Sequence, residues 1–220
     1  MAQSTIITGH YGAGKTTVAL ALAYDAAAAG HSVTLVDLDI VNPYFRSGDD
    51  AATLEKQGIR VIAPAMSGTT SDAPALRAEI FSAFNTLADV VLFDVGGDDV
   101  GATALGRFHE NFEQSGYEMH YVFSAYRPMT RTPEACVEIL RDIEQASRLR
   151  ATGLIVNHNL AADTSAQDIL DQLPYARAVA QLTNLPIIAV NVPEGIDIGE
   201  IPEPMRTIKR RVKLPWETRY

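Results

Sequence analysis

The stretch GHYGAGKTT, from Gly9 to Thr17, has the residue types and spacing of a phosphate-binding loop. The residues from Gly9 to Thr16 fit the pattern G-x-x-x-x-G-K-[ST], in which glycines let main-chain N–H groups surround an anion. The lysine can reach the β- and γ-phosphates of a nucleotide, and the two hydroxyls that follow can ligate Mg²⁺ and hydrogen-bond the α-phosphate. The expected nucleotide-binding residues are Tyr11, Gly12, Ala13, Gly14, Lys15, Thr16 and Thr17.

Carboxylates follow two other apolar runs. In VDLD, Asp37 and Asp39 lie on the same face of a strand end, because side chains alternate along a strand. In FDVGG, Asp94 ends a second apolar run. A carboxylate at such a position is costly to bury unless it faces a cation or hydrogen-bond donors. Mg²⁺ between these acids and the phosphates would supply the cation, so Thr16, Asp37 and Asp94 are the candidate metal-binding residues.

Apolar runs and helical stretches alternate along the whole chain. The apolar runs predict strands over residues 4–9, 32–39, 58–64, 89–97, 119–126, 152–159 and 186–193. Helices are predicted over residues 15–29, 74–87, 102–114, 133–150 and 165–181, the last kinked or split by Pro174. Near-continuous Val, Ile and Leu runs are typical of parallel strands with both faces covered by helices. The prediction is an α/β three-layer sandwich with a mostly parallel sheet of about seven strands, the P-loop NTPase fold.

Length and composition indicate one globular domain. The chain has 220 residues, of which 47% are hydrophobic and 20% charged. We expect a single nucleotide-binding domain over residues 1–220, with residues 205–220 forming a short C-terminal tail. A net charge of −9 weighs against broad electrostatic binding to nucleic acid. The lone Cys136 excludes a disulfide within the chain and a cysteine-rich metal site.

The sequence carries no evident targeting or membrane signal. The N-terminus MAQSTIITG has neither a basic n-region nor a long apolar h-region, so no signal peptide is expected. No apolar run approaches the roughly 20 residues needed to span a bilayer. We therefore expect a cytoplasmic protein with no specific signal for membrane or nucleic-acid binding.

Five motifs together resemble the MinD/ParA type of deviant Walker ATPase, in the family of CobQ, CobB, MinD and ParA nucleotide-binding domains. The motifs are GHYGAGKTT, VDLD, DVGG, GLIVNHN and NVPEG, and they cover nearly the whole chain. The resemblance implies a protein that binds ATP or ADP with Mg²⁺ and forms a sandwich homodimer. It also implies a sheet in which the strand ending in Asp94 neighbours the strand before the phosphate loop.

The resemblance also assigns roles to single residues. Lys15 and Asp39 would be the catalytic residues, with Lys15 on the β- and γ-phosphates and Asp39 positioning or activating the attacking water. Asp37 and Asp94 would organise Mg²⁺ through water. For Lys15, Asp37 and Asp94 these roles agree with the chemistry expected from the residue types, whereas the role of Asp39 rests on the resemblance.

For the base, the resemblance implies that Asn157 hydrogen-bonds the adenine edge and that Pro193 packs against the ring. Guanine-reading proteins carry the pattern N-x-x-D, which would need an aspartate three residues after Asn157. Leu160 stands at that position, so the sequence favours adenine.

The sequence departs from the family at His10. Members with a signature lysine carry it directly after the first loop glycine, and it crosses a dimer interface to the partner's phosphates. Histidine is partly neutral near pH 7, so it does not replace an always-charged lysine. Whether the homodimer forms is therefore an open question. An arginine could take the place of the lysine. The candidates are Arg46, Arg107, Arg127 and Arg131.

Three functions are compatible with these residues. The first is an ATP hydrolase that acts as a nucleotide-dependent switch, with loops after Asp39 and Asp94 that become ordered when ATP binds. The second is an ATP-dependent group-transfer enzyme, either a small-molecule kinase or a carboxylate-activating enzyme like dethiobiotin synthetase. Its relatives also lack the lysine, so His10 favours it. The third is a non-catalytic nucleotide-sensing module.

The partner differs between these functions. A switch would act on a second copy of the chain or on an unidentified protein, and a group-transfer enzyme would bind a small-molecule acceptor. That acceptor would lie near the loop 67–76 and near Tyr44, Arg46 or Arg127.

Overall fold

Strands and helices alternate in the computed structural model, which describes residues 3–39, 48–63, 73–96, 98–158 and 164–209. The strands are β1 (Gln3–Gly9), β2 (Val33–Asp37), β3 (Ile59–Ile62), β4 (Val90–Asp94), β5 (Tyr117–Phe123), β6 (Gly153–Asn157), β7 (Ile187–Pro193) and β8 (Met205–Ile208). The helices are α1 (Lys15–Ala28), α2 (Gly48–Lys56), α3 (Ala73–Phe84), α4 (Asp98–Gly106), α5 (His109–Ser115), α6 (Pro133–Ser147) and α7 (Ala166–Thr183).

The strands form one sheet in the order β3-β2-β4-β1-β5-β6-β7-β8, and every neighbouring pair is parallel. This order confirms the predicted parallel sheet and places β4 beside β1, as the family resemblance implied. Because the strands are parallel, their carboxyl ends share one edge of the sheet, which is where ligands bind in such folds.

Helices cover both faces of the sheet because the central strands are apolar on both sides. Every residue of β2 and β6 is buried. Successive residues point to opposite faces, and so Ile6 belongs to one core cluster and Ile7 to the other. The Ile7 cluster packs against α1 and α2, whereas the Ile6 cluster packs against α3 to α7. The predicted three-layer sandwich is confirmed.

The strand β8 lies within the segment predicted to form a C-terminal tail. No strand was predicted over residues 205–220, but Met205–Ile208 pairs in parallel with β7. This strand is short and pairs on one side only, and its central residues Arg206 and Thr207 are polar. It therefore lacks the apolar run that marks the other strands. Residues 210–220 of the predicted tail lie outside the described residues.

The helices differ from the prediction in three places. The helix predicted over residues 102–114 is two helices, α4 and α5, with a break after Gly106. The helix α2 was not predicted. Pro174 does not split α7, which continues to Thr183 and begins at a capping box made by Ser165 and Asp168. In the described part of the chain, no helix combines the length and apolarity needed to cross a bilayer.

Candidate functional site

The phosphate loop joins β1 to α1 at the carboxyl edge of the sheet. Gly12 and Gly14 have φ angles of 75° and 87°, and Gly14 is the N-cap of α1. The main-chain N–H of Ala13 donates to the oxygen of His10 at 3.1 Å, which closes the loop on itself. A helix N-terminus preceded by such a loop presents N–H groups and a partial positive charge, so it favours an anion.

Lys15 lies in the loop and not in solvent. Its side chain is 7% exposed, and Nζ donates to the main-chain oxygen of His10 at 3.1 Å. The charge of Lys15 also acts on the Asp94 carboxylate. His10 is itself buried, and its main-chain oxygen accepts from both Lys15 and Ala13. The unusual residue of the loop therefore contributes to loop shape through its main chain.

Asp37 and Asp94 lie side by side at the ends of β2 and β4, where the two residues pair in register. They are only 1% and 2% exposed. Burial raises the pKa of Asp94 to about 6, and the negative charge of Asp39 adds to this rise. A hydrogen bond from Thr16 and the charge of Lys15 oppose it. The structure thus brings together residues that the sequence separates into three motifs.

Asp39 connects the ends of the same two strands. Its main-chain N–H donates to Oδ1 of Asp37 at 2.8 Å. A Cβ atom placed on Gly96 would lie 2.9 Å from Oδ1 of Asp39, a separation that ordinary side chains do not adopt. The carboxylate of Asp39 therefore packs on the segment after β4, where glycine leaves room for it. Residues 40–47 and Gly97, which follow these acids, lie outside the described residues.

The acidic cluster fits a metal ion that is bound jointly by protein oxygens, phosphate and water. It does not fit a metal ion that protein side chains hold alone. Oδ2 of Asp94 is buried and has no hydrogen-bond partner among the described residues, and Thr16 adds a hydroxyl. Within the described ranges, no group of three or more His, Cys, Asp or Glu side chains could hold a metal ion by itself. Mg²⁺ is typically bound by one or two carboxylates together with phosphate oxygens and water, and these residues match that pattern.

Asn157 lies behind the phosphate loop at the end of β6. It is 1% exposed, and Nδ2 donates to the main-chain oxygen of Ala13 at 2.7 Å. Oδ1 accepts from Nδ2 of Asn191 on β7 at 3.0 Å. The bracing role and the partner Asn191 were missed by sequence reasoning, although an asparagine inside the apolar run IIAVNVP is a usable signal. The expected adenine contacts of Asn157 and of Pro193, which ends β7 half-buried, stay predictions.

The model of the CobQ/CobB/MinD/ParA nucleotide binding domain matches residues 5–208. The chain belongs to this family. The family predicted from the motifs is therefore confirmed, and the match includes β8. No curated protein sequence matches the chain significantly.

Solved structures share the fold of this family member at low sequence identity. The cell division ATPase MinD of Pyrococcus furiosus is 19% identical, with a TM-score of 0.56 over 86% of this chain and 83% of that one. MinD of Pyrococcus horikoshii, complexed with Mg-ADP, is 20% identical, with a TM-score of 0.55 over 86% and 81%. Chloroplast FtsY of Physcomitrella patens is 20% identical, with a TM-score of 0.58 over 90% of this chain but only 60% of its own length.

Among the arginines considered as substitutes for the family lysine, the structure singles out Arg127. A Cβ atom on Gly12 would lie 3.4 Å from Cζ and Nε of Arg127. Arg107 and Arg131 have exposed side chains, and Arg46 lies outside the described residues. Arg127 therefore reaches the phosphate loop from the segment that follows β5.

Several other expected residues cannot be placed. Tyr44, Leu160 and residues 67–72 of the acceptor loop lie outside the described residues. Tyr11 projects from the phosphate loop and is exposed, whereas Thr16 and Thr17 in the first turn of α1 are half-buried. Their roles in nucleotide binding stay predictions, as does that of the loop glycines.

Proposed function

We propose that this protein binds ATP with Mg²⁺, hydrolyses it and acts as a nucleotide-dependent switch. The observation that carries the proposal is the cluster of Asp37 and Asp94 beside Lys15 and Thr16. Two buried carboxylates at neighbouring strand ends are unfavourable by themselves. A phosphate loop with a metal ion at the same edge of the sheet accounts for both the acids and the lysine.

Each residue of the cluster has a distinct part in this proposal. The main-chain N–H groups from Tyr11 to Thr17 would bind the phosphates, and Lys15 would exchange its bond with His10 for the terminal phosphates. Thr16, with Asp37 and Asp94 acting through water, would hold Mg²⁺. When bound, the ion would neutralise part of the phosphate charge that opposes nucleophilic attack.

Asp39 is the proposed residue that orients the attacking water. Phosphoryl transfer depends mainly on positioning and charge, so a carboxylate held at a fixed place can align a water molecule with the terminal phosphorus. The bond from its main chain to Asp37 and its packing on Gly96 fix that place. Asp39 is also close enough to Asp94 to raise its pKa.

The contact between Asp39 and Gly96 also supports the switch. It joins the segment after β2 to the segment after β4, so movement of either segment would displace the other. In a nucleotide switch, contacts to the terminal phosphate hold two such segments in place, and hydrolysis releases them. The released conformation would be read by a protein partner or by a second copy of the chain.

For the base, we propose adenine. Asn157 and Pro193 end the neighbouring strands β6 and β7 on the same side of the phosphate loop. Leu160 replaces the aspartate that guanine recognition requires. Turnover of ATP against GTP by the same preparation tests this part of the proposal.

The experiment that tests the function is product analysis with matched lysine variants. The wild-type chain with Mg²⁺ should convert ATP to ADP and inorganic phosphate, and Lys15→Ala should abolish the conversion. Lys56→Ala removes an exposed lysine in the last turn of α2 and should have no effect. Full turnover by Lys15→Ala would overturn the mechanism. Tight binding without turnover would instead indicate a nucleotide-sensing module.

Group transfer on the same scaffold is the second candidate, because His10 replaces the family lysine and Arg127 lies at the phosphate loop. Such an enzyme would be slow with ATP alone and would release little inorganic phosphate. A screen of hydroxyl and carboxylate compounds for those that accelerate ADP formation distinguishes it from a switch.

A further inference from the structure

Arg127 contacts the phosphate loop because β1 and β5 are neighbours. Gly9 pairs with Val122 in parallel register, so the loops that leave the two strands start side by side. A Cβ atom on Gly12 would lie 3.4 Å from Cζ and Nε of Arg127 and 3.6 Å from Nη1. The guanidinium group therefore lies against the phosphate loop at Gly12, at the distance of an ordinary van der Waals contact with a Cβ atom at this position.

The main chain that carries Arg127 is held in a tight turn. Thr130 donates its N–H to the oxygen of Arg127 at 3.1 Å and its hydroxyl to the oxygen of Ser124 at 2.7 Å. Tyr175 on α7 donates its hydroxyl to the oxygen of Thr130 at 2.7 Å. An arginine on a main chain fixed in this way loses less conformational entropy when it binds an anion.

Positive charge near the phosphate loop is scarce in this chain. It has four lysines, Lys15, Lys56, Lys209 and Lys213. Lys56 lies in the last turn of α2, just before β3 and so at the opposite edge of the sheet. Lys209 forms an ion pair of 3.3 Å with Glu194. Among the described lysines, therefore, only Lys15 lies in the phosphate loop, and Arg127 is a further cation that contacts this loop.

We propose that Arg127 binds the terminal phosphate of ATP and stabilises its charge during transfer, within a single chain. This inference rests on the proposed function, since it assigns to the same site the cation that members with a signature lysine take from a second copy. A guanidinium group offers two parallel N–H donors to a phosphate, which a lysine does not. The site would then be complete in one chain, without a dimer.

The step in which Arg127 acts is the attack of water on the terminal phosphorus. A bond forms between the water oxygen and phosphorus, and the bond from phosphorus to the bridging oxygen breaks. The electron pair of that bond leaves with ADP, and the products are ADP, inorganic phosphate and one proton released to solvent. Negative charge accumulates on the transferring group and on the bridging oxygen, which is where a fixed guanidinium group stabilises the transition state.

The test compares Arg127→Ala and Arg127→Lys with the control Arg141→Ala, which removes an exposed arginine on α6. We expect Arg127→Ala to lower kcat on the order of 10²- to 10³-fold. Arg127→Lys keeps the charge but loses the paired donors, so its rate should be intermediate. ATP affinity should fall roughly tenfold while ADP affinity changes by less than about threefold, because only ATP carries the terminal phosphate. Thermal melts check that the variants are folded.

A mixing experiment tests whether the arginine acts in its own chain. Arg127→Ala and Lys15→Ala chains are combined at equal concentration, and single-turnover ATP hydrolysis is measured. If each site uses its own Arg127, the mixture stays as slow as the separate variants. Recovered activity in the mixture would show that the arginine crosses to a partner, and it would overturn the inference.

The rate per chain should likewise stay constant over about a hundredfold range of wild-type concentration, since no association is needed. If the wild type hydrolyses ATP, and Arg127→Ala shows the same rate and the same preference for ATP over ADP, this inference is overturned while the proposed function stands. A wild-type chain that binds no nucleotide would overturn the proposed function as well. If the wild type binds ATP without hydrolysing it, the ratio of ATP to ADP affinity is compared between the wild type and Arg127→Ala. A lower ratio in the variant supports the role of Arg127, and an unchanged ratio overturns it.

Discussion

The side-chain amide of Asn157 donates a hydrogen bond of 2.7 Å to the main-chain oxygen of Ala13, which lies 144 residues earlier in the chain. This bond ties the end of β6 to the phosphate loop. Asn191 extends it to β7 through a second bond of 3.0 Å. The shape of the phosphate loop therefore depends on the strands that would form the base site. A substitution at the ends of β6 or β7 should alter the phosphate loop as well.

Replacing Asn157 by alanine should weaken both stability and nucleotide binding. The substitution leaves the oxygen of Ala13 and the amide of Asn191 buried without these partners, which costs on the order of 1–3 kcal/mol in the free energy of unfolding. Urea denaturation measures this cost, and calorimetric titration with ADP measures the affinity. Asn85→Ala, at an exposed position, is the control and should change neither quantity. Unchanged ADP affinity in a destabilised Asn157→Ala would show that the brace is purely structural.

The buried Asp94 should make the protein less stable as pH rises, when metal and nucleotide are absent. Its pKa is about 6 in the folded chain and 3.8 in the unfolded chain, so between these values the folded state alone holds the proton. The contribution of Asp94 to stability is therefore fully present below about pH 4, and roughly 3 kcal/mol of it is lost as pH rises through about 6. Asp94→Asn lacks this titration. As pH rises, the free energy of unfolding of the variant should therefore increase relative to that of the wild type by about the same amount.

Chemical denaturation of both proteins in EDTA, at intervals from pH 4 to pH 7.5, checks this prediction. The quantity to follow is the difference in unfolding free energy between Asp94→Asn and the wild type, because other titrating groups largely cancel in it. A difference that does not change with pH would mean that burial does not raise the pKa of Asp94. The case for a cation at this position would then lose its main support.

Asp39→Asn should separate binding from hydrolysis. The amide keeps the size of the side chain and the main-chain bond to Asp37, so Mg-ATP affinity should stay within about threefold of the wild type. Removing the carboxylate that orients water should lower kcat roughly 10²- to 10⁴-fold. Phosphate release under saturating ATP gives kcat, and a fluorescent ATP analogue gives the affinity. Wild-type turnover by this variant would remove Asp39 from the mechanism.

Gly96→Ala should slow hydrolysis by displacing Asp39. The added Cβ would lie 2.9 Å from Oδ1 and 3.0 Å from Cγ of Asp39, so the carboxylate must move. We expect kcat to fall about 10- to 100-fold, with little change in ADP affinity. Gly58→Ala is the matched control. Its Cβ would meet no atom within 4 Å, so it displaces no neighbour, and its φ of 77° imposes a backbone cost alone. The control should lose about 1–2 kcal/mol of stability and keep its kcat. Equal kcat values in both variants would contradict the assigned place of Asp39.

The parts of this protein that could be predicted from sequence are those with strong local patterns. The apolar runs of β2 and β6 are buried on both faces, and the phosphate loop needs its glycines and lysine at fixed spacing. β8 has no such pattern because it is short and joins the sheet along one side only. Pro174 could not settle α7 by itself, since a proline predicts either a kink or a split, and the helix continues through it without a split.

The contacts inside the site could be anticipated only in part. Acids at strand ends were expected to gather, because parallel strands share a carboxyl edge. The contact of Arg127 with Gly12 depends on the register between β1 and β5, and the bond from Asn157 to Ala13 depends on the order of β1, β5 and β6. Such long-range pairings leave no local signal. Arg127 was consequently one of four arginines that sequence reasoning could not rank.

The most direct test of the account is calorimetric titration of the chain with ADP, in the presence of Mg²⁺ and again with EDTA. The account predicts one site per chain, tighter binding with Mg²⁺, and a loss of affinity in Lys15→Ala of at least about 100-fold. Lys56→Ala should bind like the wild type. Absence of ADP and ATP binding by the wild-type chain, or equal binding by Lys15→Ala, would contradict the claim that this loop and its acidic cluster form a nucleotide site.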